Sequence, residues 1–395
     1  MYKIHPEIST AVDQIEKRLI RFRRHLHSHP ELGRVEFKTS RCLRNILQKE
    51  TELEIHRVGD TGFYADLVTG RDNSWLALRA DMDALPISDE KDVPYKSRYL
   101  GLCHACGHDY HSTVVLGVAF ILDRFRSIIS NNIRFIFQHA EEPIPGGAID
   151  FVKSGHLDHI DAILGMHADP TLPYGKIGLA PGWITAQSIH FRISIKGAGG
   201  HSGRPNEAAD PVFTGTMLLS SLYAELYRRL NNNTPFVFTV GKIAGGDSYN
   251  SIAQNFVAEG TLRVTDNKQG DTLLKQIEQK VSASCANVGL ISDFHYTKGA
   301  SPVINDANLT EKIRMALMQI LKPDQIAPAV RSMGGEDFSA FLEKAPGVFL
   351  RVGVGNGKTS APIHSGIFDI DERAITFAVK VFSWLLLQHL ANTQR

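Results

Sequence analysis

Between Leu102 and Ser112 the chain reads LCHACGHDYHS, two cysteines, three histidines and an aspartate in eleven residues. Three chemistries fit that spacing. Cys103 and Cys106 are set apart like a redox dithiol. Cys103, Cys106, His108 and His111 have ligand types that close a structural zinc site. Or a subset of these side chains binds a metal that does chemistry, which requires ligands from elsewhere and an open position for water. Cysteine and histidine favour zinc or another transition metal over Mg²⁺ or Ca²⁺.

Further metal-competent residues follow apolar runs. RADMD (79–83) directly follows WLAL, Glu141 and Glu142 come shortly after IRFIF, and His167 directly follows AILGM. An adjacent Glu pair can divide its work, one carboxylate on a metal and the other facing a water. A metal lowers the pKa of such a water to roughly 7, within reach of a carboxylate base.

The elements that position these groups are of two kinds. WLAL (75–78), IRFIF (133–137), AILGM (162–166) and VFLRVGV (348–354) are compact apolar runs suited to strands buried on both faces. The intervening STVVLGVAFILDRF is apolar almost all round and predicts a buried helix. Together they predict an open, mostly parallel α/β sheet, in which ligands gather outside the carboxyl ends of the strands. From Ser188 the pattern changes. In SIHFRISIK, Ile189, Phe191, Ile193 and Ile195 alternate with polar residues, the mark of a strand with one wet face. A helix near 208–230, strands near 235–243 and 256–264, a helix near 270–287 and a strand at DFHYT complete a β-α-β-β-α-β order, the ferredoxin-like arrangement. The expected organisation is a catalytic α/β domain (1–185 and 296–395) interrupted by an inserted α+β domain (186–295).

Composition narrows the function classes. The 395 residues carry a formal net charge of +1, so no basic field is present to hold nucleic acid. RFRRHLH (21–27) reads as a solvated helix face. The first eighteen residues lack an apolar core of the signal type, and ITFAVKVFSWLLLQHL (375–390) is too short and too interrupted to span a bilayer. Four cysteines in so long a chain make no disulfide framework, which points to a cytoplasmic, reducing setting.

HACGHD (104–109), RADMDALP (79–86), FQHAEE (137–142), GMHADP (165–170), GGHSGRP (199–205), MGGEDFS (333–339) and PIHSG (362–366) together resemble the M20 metallopeptidase clan. Within it they are similar to the amidohydrolase branch that acts on hippurate, N-acyl amino acids and auxin conjugates. The resemblance implies Cys106, His108, Glu142, His167 and His364 as ligands of two divalent transition-metal ions (Mn²⁺, Zn²⁺, Ni²⁺ or Co²⁺), with Cys106 bridging. It implies Glu141 as general base and His201, on an inserted lid or dimerisation domain, as the group that polarises the scissile carbonyl. Asn250 stands where relatives contact substrate. Beyond the ligands, Asp81 and Asp83 are candidates for orienting a ligand histidine, although Asp81 can instead pair with Arg79, and His104 and His111 are read as supporting residues. The Gly334–Gly335 backbone is a candidate to face substrate, Glu336 and Asp337 to support the site, and Arg263 to meet a substrate carboxylate. The expected partner is a small N-acyl amino acid, without nucleic acid or membrane, and the expected assembly a homodimer or homotetramer. Alternatives are a dipeptidase or aminopeptidase of the same clan and a silent metal- or metabolite-binding relative. Cys103 stands where relatives have Met, His139 where they have Pro and Asn206 where many have His. Oxidation joining Cys103 to Cys106 is an expectation that follows from the first of these.

Overall fold

The computed structural model describes residues 6–388 and Leu390, apart from residues 232, 356 and 358–360. The first five residues and His389, at the end of the expected C-terminal helix, lie outside that description. The chain divides into two compact units, one of Met1–Ile184, Val303–Arg331 and Asp337–Arg395, the other of Thr185–Pro302 and Ser332–Glu336.

In chain order the first unit begins with helices α1 (Pro6–Ser28) and α2 (Phe37–Glu50) and strands β1 (Glu54–Val58), β2 (Gly62–Leu67) and β3 (Trp75–Asp81). Helix α3 (His108–Arg124), β4 (Asn132–Gln138), α4 (Ala148–Lys153), β5 (Ala162–Pro173), β6 (Ile177–Leu179) and β7 (Gly182–Trp183) follow. The second unit holds β8 (Gln187–Lys196), β9 (Gly200–His201), α5 (Pro211–Arg228) and β10 (Phe236–Gly245). It continues with β11 (Ser251–Ile252), β12 (Asn255–Val264), α6 (Asn267–Ala286) and β13 (Ile291–Lys298). The chain then returns to the first unit with β14 (Ile304–Asn305), α7 (Ala307–Leu317), β15 (Ile326–Pro328), α8 (Ser339–Leu342), β16 (Gly347–Gly355) and α9 (Arg373–Leu386).

The first unit is built on an eight-stranded sheet in the order β1-β2-β4-β3-β5-β16-β6-β15. Its centre, β4-β3-β5-β16, is parallel, and each of these strands is one of the four apolar runs. The β1–β2 hairpin adds antiparallel strands at one edge, so the sheet is mixed. Helix α3 is buried from His108 to Ala119 without a break, as its uniform apolarity requires. It packs between α1 and α9, and Gly117 makes that approach possible: a Cβ there would sit 2.7 Å from Val379 and 3.0 Å from Leu19.

The second unit has the ferredoxin-like strand order β10-β12-β8-β13, all antiparallel. In β8 the alternation holds: Ile189, Phe191, Ile193 and Ile195 are buried, while His190, Arg192 and Lys196 are exposed. Both helices start at an aspartate cap. Asp210 accepts from the amides of Val212 (2.8 Å) and Phe213 (3.2 Å), and Asp266 from that of Gln269 (2.7 Å). This unit runs to Pro302 and includes Ser332–Glu336, where sequence patterning ended it at 295. Strand β13 simply continues to Lys298.

One reading holds only in part. In RFRRHLH, Arg21, Arg24 and His25 are exposed, but Arg23 and His27 are wholly buried. Both lie on the stripe that Ile8, Val12, Leu19 and Leu26 bury, so helical periodicity, not local charge, sets their direction. Arg23 Nε is 2.8 Å from Asp109 and its Nη2 2.9 Å from Asp369. His27 bridges Asp109 (2.7 Å) and Asp89 (3.3 Å). Burial and Arg23 push the His27 imidazole down, but the two carboxylates prevail and raise it to about 9. A raised folded pKa contributes stability that is complete below the unfolded value near 6.5 and disappears as pH rises through about 9. Wild-type unfolding free energy is therefore expected to fall by about 2–3 kcal/mol from pH 6.5 to 9.5 relative to His27→Gln. Urea titrations of both proteins across that range check it, and parallel curves would refute it.

Candidate metal centre

Four stretches of the first unit converge at the carboxyl ends of its central strands. The first is the turn into α3. Cys106, Gly107 and His108 form its entry, with Gly107 at φ +94°, and a Cβ there would lie 3.1 Å from Ala168. Helical spacing then places His111 on the same side as His108, with ring centroids 5.5 Å apart. The second stretch is the end of β3. Asp83 Oδ1 lies 3.1 Å from His108 Nδ1, which turns His108 Nε2 toward the centre. Asp81 takes His111 Nδ1 and Arg79 Nη1, each at 2.7 Å, so it pairs with Arg79 and holds a histidine that is not one of the candidate ligands. The third is β5. His111 Nε2 accepts the Ala168 amide at 2.9 Å, and His167 Nδ1 donates to the Ala168 carbonyl at 2.8 Å. That leaves His167 Nε2 facing Cys106 Sγ at 3.3 Å. His111 and His167 thus hold the Ala168 main chain from either side, one at its amide and the other at its carbonyl.

The fourth stretch follows β4. Glu142 donates its amide to Asp83 Oδ2 at 3.0 Å. Glu141 Oε2 and Glu142 Oε1 each lie 3.9 Å from His108 Nε2. His364 arrives from the far end of the chain, tied by its amide to the Ala105 carbonyl at 2.8 Å, and it adopts φ +64°. Its Nε2 is 3.4 Å from Glu142 Oε1. The donor atoms of Cys106–His108–His167, Cys106–Glu142–His364 and His108–Glu141–Glu142 each fall within 4.8 Å of one another.

These residues fit a metal. His108 Nε2 is buried without a hydrogen-bond partner, which is a costly condition for a polar atom. The set is rich in anions. Burial alone would depress His108, yet Asp81 and the Cys106 sulfur carry it well above its ordinary value. Contacts with Cys106 and Glu142 raise His364 to about 10. Protons on these imidazoles balance charge that a bound cation would balance instead. His167 is held far below its ordinary value by burial, His111 and Arg351, and so stays neutral as a ligand must.

Beneath the ligands lies a buried polar layer that sequence reasoning saw only in part. Arg79, wholly buried, reaches Gln138 Oε1 (2.7 Å), Asp81 Oδ2 (2.7 Å) and Asp337 Oδ1 (3.0 Å). Asp337 also accepts from Gln138 Nε2 at 2.8 Å and the Ala148 amide at 3.0 Å. His139 pairs with Asp150 at 2.9 Å. Cys103 and Cys106 join different clusters. The Cys103 thiol groups with His27 and Asp89 and lies 3.6 Å from Lys91 Nζ. His104 is buried with neither ring nitrogen hydrogen-bonded, and burial lowers it to about 4.

Other candidates lie in the second unit. The β9–β11 pairing sets His201 opposite Ser251, beside Asn250. His201 is exposed, and its Nδ1 accepts the Gly203 amide at 3.0 Å, so a neutral ring carries its proton on Nε2. Arg263 donates to the Met333 carbonyl at 2.7 Å, and the Gly334 carbonyl accepts the Ala186 amide at 2.9 Å. Arg263 thereby steadies the segment that carries Gly334 and Gly335. Glu336 is buried in this unit.

Two carboxylates, three imidazoles and a thiol around a common centre, at the strand ends of an α/β sheet, define a metal-dependent hydrolase class. A family model described as peptidase family M20/M25/M40 matches residues 77–388, and the chain belongs to that family. It is 36% identical over 366 residues to the N-acetyl-L-cysteine deacetylase of Bacillus subtilis (strain 168), covering 91% of this chain and 85% of the relative. It is 36% identical over 299 residues to the N-acyl-L-amino acid amidohydrolase of Geobacillus stearothermophilus, covering 76% and 81%. A Rhodococcus jostii (strain RHA1) protein is 36% identical over 94% of this chain, which spans only 46% of that protein's length. Among solved structures, a dinuclear metal binding peptidase of the M20 family from Bacillus subtilis aligns with TM-score 0.83 and 32% identity over 95% of this chain and 98% of the other.

Proposed function

We propose that this protein hydrolyses the amide bond of N-acyl amino acids, releasing a carboxylic acid and a free amino acid. The carrying observation is the ring of Cys106, His108, Glu142, His167 and His364 with the Glu141 carboxylate beside it. The named activities of the Bacillus and Geobacillus relatives support the substrate class. Two divalent ions held by these five residues would supply Lewis acidity, activating water and polarising the carbonyl. Glu141 takes the proton of the attacking water and returns it to the departing nitrogen. His201 donates from Nε2 to the oxyanion as it develops. Asp83 holds Nδ1 of His108 and the Ala168 carbonyl holds Nδ1 of His167, so each ring presents Nε2 to the centre. Asn250, beside His201, contacts the substrate, and the Gly334–Gly335 segment borders it.

We further propose a homodimer through the second unit. Strand β10 is a sheet edge, and Ile243 on it is exposed together with Phe213 and Met217 of α5. Light scattering of the parent and of Met217→Glu reads that state. The four cysteines are free, in keeping with a reducing cytoplasmic setting. Among the described residues no helix is long and apolar enough to cross a membrane.

The deciding experiment is a panel of N-acetyl, N-benzoyl and free dipeptide substrates, assayed with metal analysis, with a chelator and with His201→Ala. Peptides belong in it because a Saccharolobus solfataricus relative at 31% identity is named thermostable carboxypeptidase 2. N-acyl amino acids should be preferred and chelation should abolish turnover. His201→Ala should lower kcat without loss of metal. Preference for free dipeptides, or turnover that survives metal removal, would overturn the reading.

A further inference from the structure

Glu36 stands outside the ligand set, at the start of α2, with its side chain wholly buried. Its Oε2 accepts the Thr61 hydroxyl at 2.7 Å. Its Oε1 accepts two backbone amides, Arg34 at 3.1 Å and Ala140 at 2.7 Å. Burying a carboxylate among neutral donors is costly, and shaping the α1–α2 loop needs only the Arg34 contact. The stronger contact goes to a residue more than a hundred positions away.

Ala140 is the residue before Glu141, and it sits at φ +50°, a left-handed conformation that a non-glycine residue adopts at a cost of roughly 1–2 kcal/mol. Its two peptide groups are both occupied, the amide by Glu36 and the carbonyl by the Gly147 amide at 2.7 Å. On the far side of Glu141, the Glu142 amide is held by Asp83. Glu141 is therefore flanked by two amides, each gripped by a buried carboxylate from a different element. The α1–α2 loop also lies directly on this turn, since a Cβ on Gly33 would come within 3.0 Å of Pro143 and 3.1 Å of the Ala140 Cα.

We propose that Glu36 is a positioning residue for the hydrolysis: by holding the Ala140 amide it enforces the left-handed turn that aims Glu141 at the reacting water. This rests on Glu141 carrying the proton, as argued above. A small displacement of such a group is expensive, because roughly 1 Å of misplacement costs about 10²-fold in rate.

The test compares Glu36→Ala, Glu36→Gln and Thr61→Val in the metal-loaded protein, with Glu141→Gln alongside. In Glu36→Ala, kcat should fall by roughly 10–100-fold with KM and metal content close to the parent's. Glu36→Gln keeps an oxygen for the Ala140 amide and should restore most of kcat. Thr61→Val removes the partner of the other oxygen, so it should lower the melting temperature and leave kcat unchanged. Parental kcat in Glu36→Ala, or a loss that follows metal content or KM, overturns the proposal. If Glu36→Ala does not fold, the other two decide: a folded, metal-replete Glu36→Gln with kcat as low as roughly a tenth of the parent's, or Thr61→Val losing kcat with stability, overturns it. Turnover retained in Glu141→Gln would instead remove the reading on which the proposal stands, whatever Glu36 does.

Discussion

Glu141→Gln is expected to bind metal as the parent does and to lose turnover by roughly 10²–10⁴-fold, the range that general acid–base catalysis supplies. The glutamine is isosteric and can sit in the same turn, between amides held by Glu36 and Asp83. What it lacks is basicity. Metal analysis should find the same content, because the proposed ligand set of Cys106, His108, Glu142, His167 and His364 leaves Glu141 out. KM should change little, since substrate contacts are untouched, so the loss falls on kcat and on kcat/KM equally. Glu142→Gln makes the informative contrast. It replaces a proposed ligand, and metal should be lost along with activity. Equal metal contents and equal rates in the two variants would show that the adjacent carboxylates do not divide their labour.

Arg79→Met is expected to destabilise the fold by about 3–5 kcal/mol, the cost of breaking a buried ionic network by removing one partner. Arg79 is wholly buried and serves Asp81, Asp337 and Gln138 at once. Burial alone would raise the Asp81 carboxyl, but His108, His111 and Arg79 hold it far below its ordinary value, so it is a fixed anion. Without Arg79 that charge is left under the ligands with only imidazoles to balance it. Arg79→Lys should recover little, because one ammonium cannot reproduce a planar fork directed at three acceptors. Urea unfolding measures the loss, and a change below about 1 kcal/mol would place the network among those that contribute nothing net.

The sequence made the central strands legible because strands buried on both faces must be apolar throughout. WLAL, IRFIF, AILGM and VFLRVGV are the four adjacent parallel strands. The ferredoxin-like order was legible because β8 alternates with period two. The β1–β2 hairpin left no such mark: EIHRV at the sheet edge is mostly polar, and GFYADL, though buried throughout, carries Asp66 in its run. The motifs named the residues that gather at the candidate centre, whereas the groups that orient them were readable only by halves. Asp81 and Asp83 stood next to a strand. His111 could not be linked to His167, because both meet at the Ala168 main chain, a backbone contact without a sequence signature. Arg23 and His27 were misread since a cluster of charges suggests water, while position on the helix decides. Glu36 carried no signal at all, being one acid among the 42 acidic residues of the chain.

The placement of β5 beside β16 has a consequence for how the molecule comes into being. Ile163 pairs with Gly347, so the widest ladder of the central sheet joins segments about 180 residues apart. Everything between, the whole second unit included, must leave the ribosome before that ladder can form. The second unit has its own apolar core and pairs its strands over shorter separations, so it can fold while the larger sheet still waits for its last parallel strand. His364 emerges later still. With the proposed ligand set, metal capture is thus tied to the end of synthesis, and a chain truncated before residue 364 would be born with an incomplete centre however well its earlier motifs are preserved.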